Sequence, residues 1–185
     1  MKTNQSGEKL KIATGSLAGC FGCHMSFLDI DEQLVDLEKH FEFDRSPFTD
    51  IKELGPCDIG LIEGGLCNKE NVEVLNLFRS KCKVLVSVGA CAINGGVPAL
   101  RNQFTVEECL DESYRDGLGL NPQSIIPNDE ELPALLNKVV PIHEAVQIDY
   151  FLPGCPPPAE AFIELLQAIL EKREPNINYA LRRFD

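Results

Sequence analysis

Lys83-Val84-Leu85-Val86-Ser87-Val88, closed by Gly89, is a nearly unbroken β-branched run and decides the fold. A strand that is apolar throughout is buried on both faces, which is the situation of a parallel sheet covered by helices. Upstream, Asp58-Ile59-Gly60-Leu61-Ile62-Glu63 is a second such run, ending at Gly64-Gly65. Between the two, Asn71 to Cys82 carries Val72, Leu75, Leu77 and Phe78 at helical spacing. The pattern repeats outward. Lys11 to Ser16 predicts the first strand, and Phe27, Leu28, Leu34, Val35, Leu37 and Phe41 predict one amphipathic helix over Ser26 to Phe41. Gln147 to Leu152 predicts a fourth strand, and Ala159 to Lys172 a last helix, with prolines before it and Pro175 after it. From about Asn94 to Val146 the chain is irregular and proline-interrupted, with short helices predicted near Thr105 to Tyr114 and Leu132 to Lys138.

Alternating strands and helices predict an α/β fold with a flavodoxin-like open sheet, mostly parallel, with helices on both faces. The domain is expected to span residues 10–175, between a flexible N-terminal tail at 1–9 and a C-terminal tail at 176–185. At 185 residues the chain is long enough to bury a core without covalent staples.

Lys and Arg number 17 against 29 Asp and Glu, a net charge of −12. Such a surface repels phosphate backbones and anionic lipids, so neither nucleic acid nor membrane is an expected partner. The polar N-terminus shows no signal region or twin arginine, and no apolar run approaches the roughly 18–20 residues that span a bilayer. The expected location is the cytoplasm. In that reducing compartment eight cysteines argue for metal binding or redox chemistry rather than four disulfides.

In open parallel sheets ligands bind outside the carboxyl ends of the strands, where neighbouring loops emerge together. Cys20 and Cys23 follow the first strand, Cys91 follows the third and Cys155 the fourth, so cysteines far apart in sequence are expected at one edge. Glu63, ending the second strand, faces the same crevice. Four converging thiolates suit a 4Fe-4S cube, with one sulfur for each iron, and the glycines around them let backbone amides approach cluster sulfurs. Two rivals share these residues. A structural zinc site usually shows two closely spaced ligand pairs, and here there is one pair, Cys20-Phe21-Gly22-Cys23. A thioredoxin-like dithiol at Cys20 and Cys23 leaves Cys91 and Cys155 without a role.

Cys57, Cys82 and Cys109 are expected to be buried as small hydrophobes, and Cys67 to be a non-ligand nearer the crevice. His24 either hydrogen-bonds near the site or lies on the surface; His40 and His143 have no visible partner. For Glu63, a role at a partner interface or in proton movement stands beside the plainer one of accepting loop amides.

Cys20-Phe21-Gly22-Cys23, Ile62-Glu63-Gly64, Gly89-Ala90-Cys91-Ala92 and Pro153-Gly154-Cys155-Pro156-Pro157, in this order between about Leu10 and Leu170, resemble the small subunits of nickel-iron hydrogenases. The cluster-bearing subunit of respiratory complex I is a more distant likeness, because its first two ligands are adjacent. The resemblance implies that Cys20, Cys23, Cys91 and Cys155 hold the proximal 4Fe-4S cluster. Small subunits of periplasmic hydrogenases add a domain with two more clusters, and several cytoplasmic relatives append ferredoxin-like cysteine runs. Neither follows Cys155 here, so the chain looks like the short small subunit of the NAD-reducing soluble bidirectional enzymes. The resemblance then places the NiFe centre on a large subunit, and NAD and flavin on a diaphorase module. With no Gly-x-Gly-x-x-Gly turn, NAD binding by this chain is not expected. FMN is not expected either, since it would compete with a cluster for the same strand ends.

Overall fold

Strand β1 (Leu10–Ser16) opens the fold, and helix α1 (Gly22–Leu28) follows the turn that holds Cys20. The computed structural model describes residues 9–121, 123–182 and 184. Apart from Lys9, the tail expected at 1–9 lies outside the described residues. Next come α2 (Gln33–Glu38), β2 (Phe41–Phe43), β3 (Cys57–Glu63) and β4 (Leu66–Asn68). They are followed by α3 (Lys69–Lys81), β5 (Cys82–Val88), α4 (Gly89–Asn94) and α5 (Val106–Tyr114). The last elements are β6 (Leu135–Val140), β7 (Tyr150–Leu152) and α6 (Ala159–Glu171).

Five strands form the main sheet in the order β2-β1-β3-β5-β7, every neighbouring pair parallel. This is the flavodoxin-like doubly wound order, as the strand and helix alternation predicts. Successive side chains of each central strand point to opposite faces of the sheet, and most are buried. Ile12, Ile59, Leu61, Val86 and Val88 face Phe27 of α1 and Phe162, Leu165 and Leu166 of α6. Ala13, Ile62 and Leu85 face the other way, onto Leu75 and Phe78 of α3 and Ala92 of α4. Both faces are covered, which is why these strands read as continuous apolar runs. Among the described residues no helix is long and apolar enough to cross a membrane.

The structure departs from the predicted elements in three places. The single helix expected over Ser26 to Phe41 is two short helices and a strand. Asp29, Asp31 and Glu32 place carboxylates at the carboxyl end of α1, where the helix dipole disfavours them, and Asp31 turns left-handed at φ 54°. Phe41 is buried and Glu42 exposed because they alternate in β2, with the period of a strand. The helix expected at Leu132 to Lys138 is instead β6, antiparallel to β4. Its other edge is held by side chains: Asn102 Nδ2 donates to Val139 O at 2.8 Å, Val139 N–H donates to Asn102 Oδ1 at 2.7 Å, and Arg101 donates to Leu136 O at 2.8 Å. Tertiary pairing there overrides a helical composition. The fourth strand is shorter than predicted, starting at Tyr150, because the Asp149 carboxylate takes the Leu85 N–H at 2.7 Å and also pairs with Arg79.

Cys57 and Cys82 are buried as expected but are not free thiols. Parallel register sets them directly side by side on β3 and β5, with Cα atoms 4.6 Å apart, and a disulfide joins them. They lie at the amino ends of their strands, away from the crevice. Cys109, expected in a core, is only half-buried on α5, which buries none of its residues.

After α6 the chain returns to the body. Glu164 accepts from both terminal nitrogens of Arg173, at 2.6 and 3.0 Å, and from the Asn176 N–H at 2.7 Å, while Ile177 is buried in the core. Its hydrogen bonds with Arg173 and Asn176 lower the Glu164 pKa to about 2. A depressed carboxylate stabilises the fold above its unfolded value and stops doing so as pH falls through the folded one. Glu164→Gln is therefore expected to remove part of the acid-induced loss of stability between about pH 4.3 and about pH 2, as followed by thermal melts across that range.

Candidate metal centre

Because β1, β3, β5 and β7 run the same way, their carboxyl ends share one edge, and the cysteines stand on it. Cys20 lies exposed in the turn after β1, Cys23 half-buried in the first turn of α1, Cys91 half-buried on α4 directly after β5, and Cys155 half-buried after β7. Their neighbours touch. Ala90 N–H donates to Gly154 O at 2.8 Å, which ties the Cys91 turn to the Cys155 turn. A side chain on Gly89 would come within 2.4 Å of Cys23 Sγ, and one on Gly19 would meet Cys91 Cβ at 4.0 Å. Gly89 itself holds φ 79°, a left-handed backbone that no other residue adopts without strain. Gly96 likewise leaves room for Cys91, whose Sγ would lie 2.8 Å from an added Cβ.

The electrostatics describe one shared site. Burial pushes the Cys23 thiol well above its ordinary range, and Glu63, Cys91 and Cys20 push it further the same way. Burial also raises Cys91; the Val97 amide works against this, while Cys155, Cys20 and Glu63 add to it. Thiolates crowded with a carboxylate in a half-buried crevice repel one another unless a cationic centre joins them. The donor set therefore fits a metal-containing group. Backbone amides already point at two of the sulfurs, Gly22 N–H at Cys20 Sγ over 3.4 Å and Val97 N–H at Cys91. Among the described residues no three His, Cys, Asp or Glu side chains come together closely enough to hold one metal ion. A four-iron cube takes a single sulfur at each iron and needs a wider spread.

Glu63 is buried at the end of β3, where its Oε2 accepts the Cys23 N–H at 3.0 Å and its Oε1 faces His24 Nδ1 at 2.7 Å. Burial raises its pKa, but the His24 bond and charge, with Ser16 and Cys23, outweigh that and hold it below the usual carboxylate range. Its carboxylate thus accepts a loop amide, the plainer of its two expected roles. His24, for which exposure was an open reading, is buried: Nε2 lies 2.9 Å from Thr14 Oγ1, which lies 2.7 Å from Ser46 Oγ. Phe21 stacks on the His24 ring at 4.7 Å with the planes 6° apart, and Phe48 stands edge-on to both. Sequence reasoning did not find Thr14, Ser46, Phe21 or Phe48. The signal available was the polar Thr14 inside an apolar strand.

Cys67 stays on β4, its thiol raised by burial and drawn down by Arg101. His143 stands edge-on to Phe151. On the other face of β1, a cleft of about 460 Å³ is lined by Arg45, Lys52, Glu70 and Phe78 among others, and by none of the four cysteines.

A profile of the family described as NADH ubiquinone oxidoreductase, 20 Kd subunit, matches residues 20–169, which include every cysteine of the site. The chain belongs to this family. It is 42% identical to the NAD-reducing hydrogenase HoxS subunit delta of Cupriavidus necator, across 100% of this chain and 90% of that one. It is 39% identical to one of the subunits of the F420-non-reducing hydrogenase of Methanothermobacter marburgensis, across 90% of this chain and 55% of that one. A crystal structure of an NAD+-reducing [NiFe]-hydrogenase in the H2-reduced state contains a chain that superposes with a TM-score of 0.94 at 57% identity, covering 96% of this chain and 100% of that chain. The [NiFeSe] hydrogenase of Desulfomicrobium baculatum shares the fold at a TM-score of 0.56 and 16% identity, covering 95% of this chain and 69% of its own. The likeness to hydrogenase small subunits read from four motifs is thus met along nearly the whole chain, and the chain is an oxidoreductase subunit.

Gly89→Ala tests the packing of the site without reference to any cofactor. It is expected to cost at least roughly 1–2 kcal/mol for the left-handed backbone, plus the displacement of Cys23, measured by denaturant unfolding.

Proposed function

We propose that this chain is the electron-relay small subunit of a cytoplasmic NAD-reducing [NiFe] hydrogenase and holds one 4Fe-4S cluster on Cys20, Cys23, Cys91 and Cys155. The observation that carries the reading is the convergence of these four cysteines, from three separate strand ends, on one glycine-lined crevice. When bound, such a cluster supplies a one-electron donor and acceptor. The chain's own residues do the rest. Four thiolates bind the group, the Gly22 and Val97 amides compensate sulfur charge, and Glu63 holds the Cys23 loop by its amide. Phe27, Val88 and Phe162 close the inner wall beside Cys23 and keep water from it, while exposed Cys20 brings one edge of the site to the surface.

Electrons then pass through this chain between the NiFe centre of a large subunit and a diaphorase module carrying flavin and NAD, in the overall reaction H2 + NAD+ = NADH + H+. The nickel chemistry and the binding of FMN and NAD belong to those partners. A stand-alone dithiol enzyme at Cys20 and Cys23 is a weaker reading, because it leaves without a role Cys91 and Cys155, whose charges act within the same crevice.

Anaerobic purification with its partner subunits is expected to yield about four irons and four sulfides on this chain and an EPR signal on reduction. Cys155→Ser is expected to lose or convert that cluster. A colourless, iron-free chain after reconstitution would overturn the assignment, and a dithiol enzyme would survive the Cys155 change.

A further inference from the structure

His24 is the only histidine of the chain's three that is buried, and it sits one residue beyond a proposed cluster ligand. Both of its ring nitrogens are engaged, Nδ1 with Glu63 Oε1 at 2.7 Å and Nε2 with Thr14 Oγ1 at 2.9 Å. The ring is then fixed from above by Phe21, stacked flat on it, and from the side by Phe48. Phe21 holds this place with a left-handed backbone, φ 67°, which is unfavourable for an aromatic residue and is found where the surroundings over-determine it.

What this box holds still is the Glu63 carboxylate. Its Oε1 is committed to His24, so Oε2 is turned to the Cys23 N–H at 3.0 Å. The next atoms along that residue lead to Cys23 Sγ, against which Gly89 leaves no room for a side chain. A ring turned by a few tens of degrees would take away the 2.7 Å bond that orients the carboxylate and leave it to Ser16 and the Cys23 amide. Groups that orient metal ligands in this way are worth roughly 10- to 100-fold in metal retention.

We propose that His24 is a positioning residue of the cluster site: clamped between Thr14 and Glu63 under Phe21, it fixes the carboxylate that holds the Cys23 amide and so places the Cys23 sulfur. The inference rests on the cluster reading above. It assigns His24 no contact with the cluster and no exchange of protons.

The test uses the anaerobically purified hydrogenase complex containing this chain, with subunit assembly checked by gel filtration. His24→Phe keeps the ring under Phe21 and removes both hydrogen bonds; it is expected to shift the midpoint potential and g-values of the reduced cluster. It is also expected to lose iron to a chelator roughly 10- to 100-fold more readily. In His24→Asn the side-chain amide can stand near the place of Nδ1 and donate to Glu63, so part of that retention is expected to return. Thr14→Val, close to isosteric, removes the partner of Nε2 and is expected to change the spectrum in the same direction by less. A cluster unchanged in spectrum, potential and retention in His24→Phe overturns the positioning role alone, as does a His24→Asn variant no better than His24→Phe. An unsubstituted complex with no iron on this chain overturns the cluster reading and the inference together.

Discussion

Parallel pairing of β1, β3, β5 and β7 is the constraint from which the site follows. Each strand enters at the same end and leaves at the other, so the turns that carry Cys20, Cys23, Cys91 and Cys155 emerge side by side. Antiparallel pairing of any one of them would carry its cysteine to the opposite edge. The pairing is held by burial on both faces, with α1 and α6 on one and α3 and α4 on the other. The same layers that stabilise the sheet therefore place the thiols.

At that edge the packing changes character. The face that holds Ile12, Ile59 and Leu61 ends in Thr14 and Glu63, both buried, and His24 descends from α1 to meet them. Burying a carboxylate is costly unless hydrogen bonds replace the water it loses. Here both oxygens of Glu63 are engaged, one by the histidine and one by the cysteine loop, with Ser16 as a further partner of the carboxylate. The polar network thereby meets the apolar core beside the crevice, where Phe27 and Phe162 line one small cavity with Cys23, His24 and Glu63.

Much of this is legible in the residues. The continuous run at Val84 to Val88 and its glycine stop identify a central parallel strand, because burial on both faces removes the alternation of a half-exposed one. The gathering of four cysteines follows from the strand-end rule and from nothing finer. The departures share one cause. Local periodicity reads helix up to Phe41 and again over Leu132 to Lys138, yet Phe41 to Phe43 and Leu135 to Val140 are strands because an open edge, β1 in one case and β4 in the other, is there to pair with. The Cys57 and Cys82 pairing is hidden for the same reason: register between strands is a property of the sheet.

The sequence by itself determined the class of fold and the sheet edge at which the turns of Cys20, Cys23, Cys91 and Cys155 emerge, since strand type and strand end are local features of hydrophobicity and glycine placement. Only the tertiary structure decided that His24 is buried rather than exposed and that Glu63 holds the Cys23 amide. It also decided that Phe21 closes over the histidine, and that Cys57 lies against Cys82. Those facts depend on contacts between residues tens of positions apart, and a chain's local pattern carries no record of which distant groups its folding brings within a hydrogen bond.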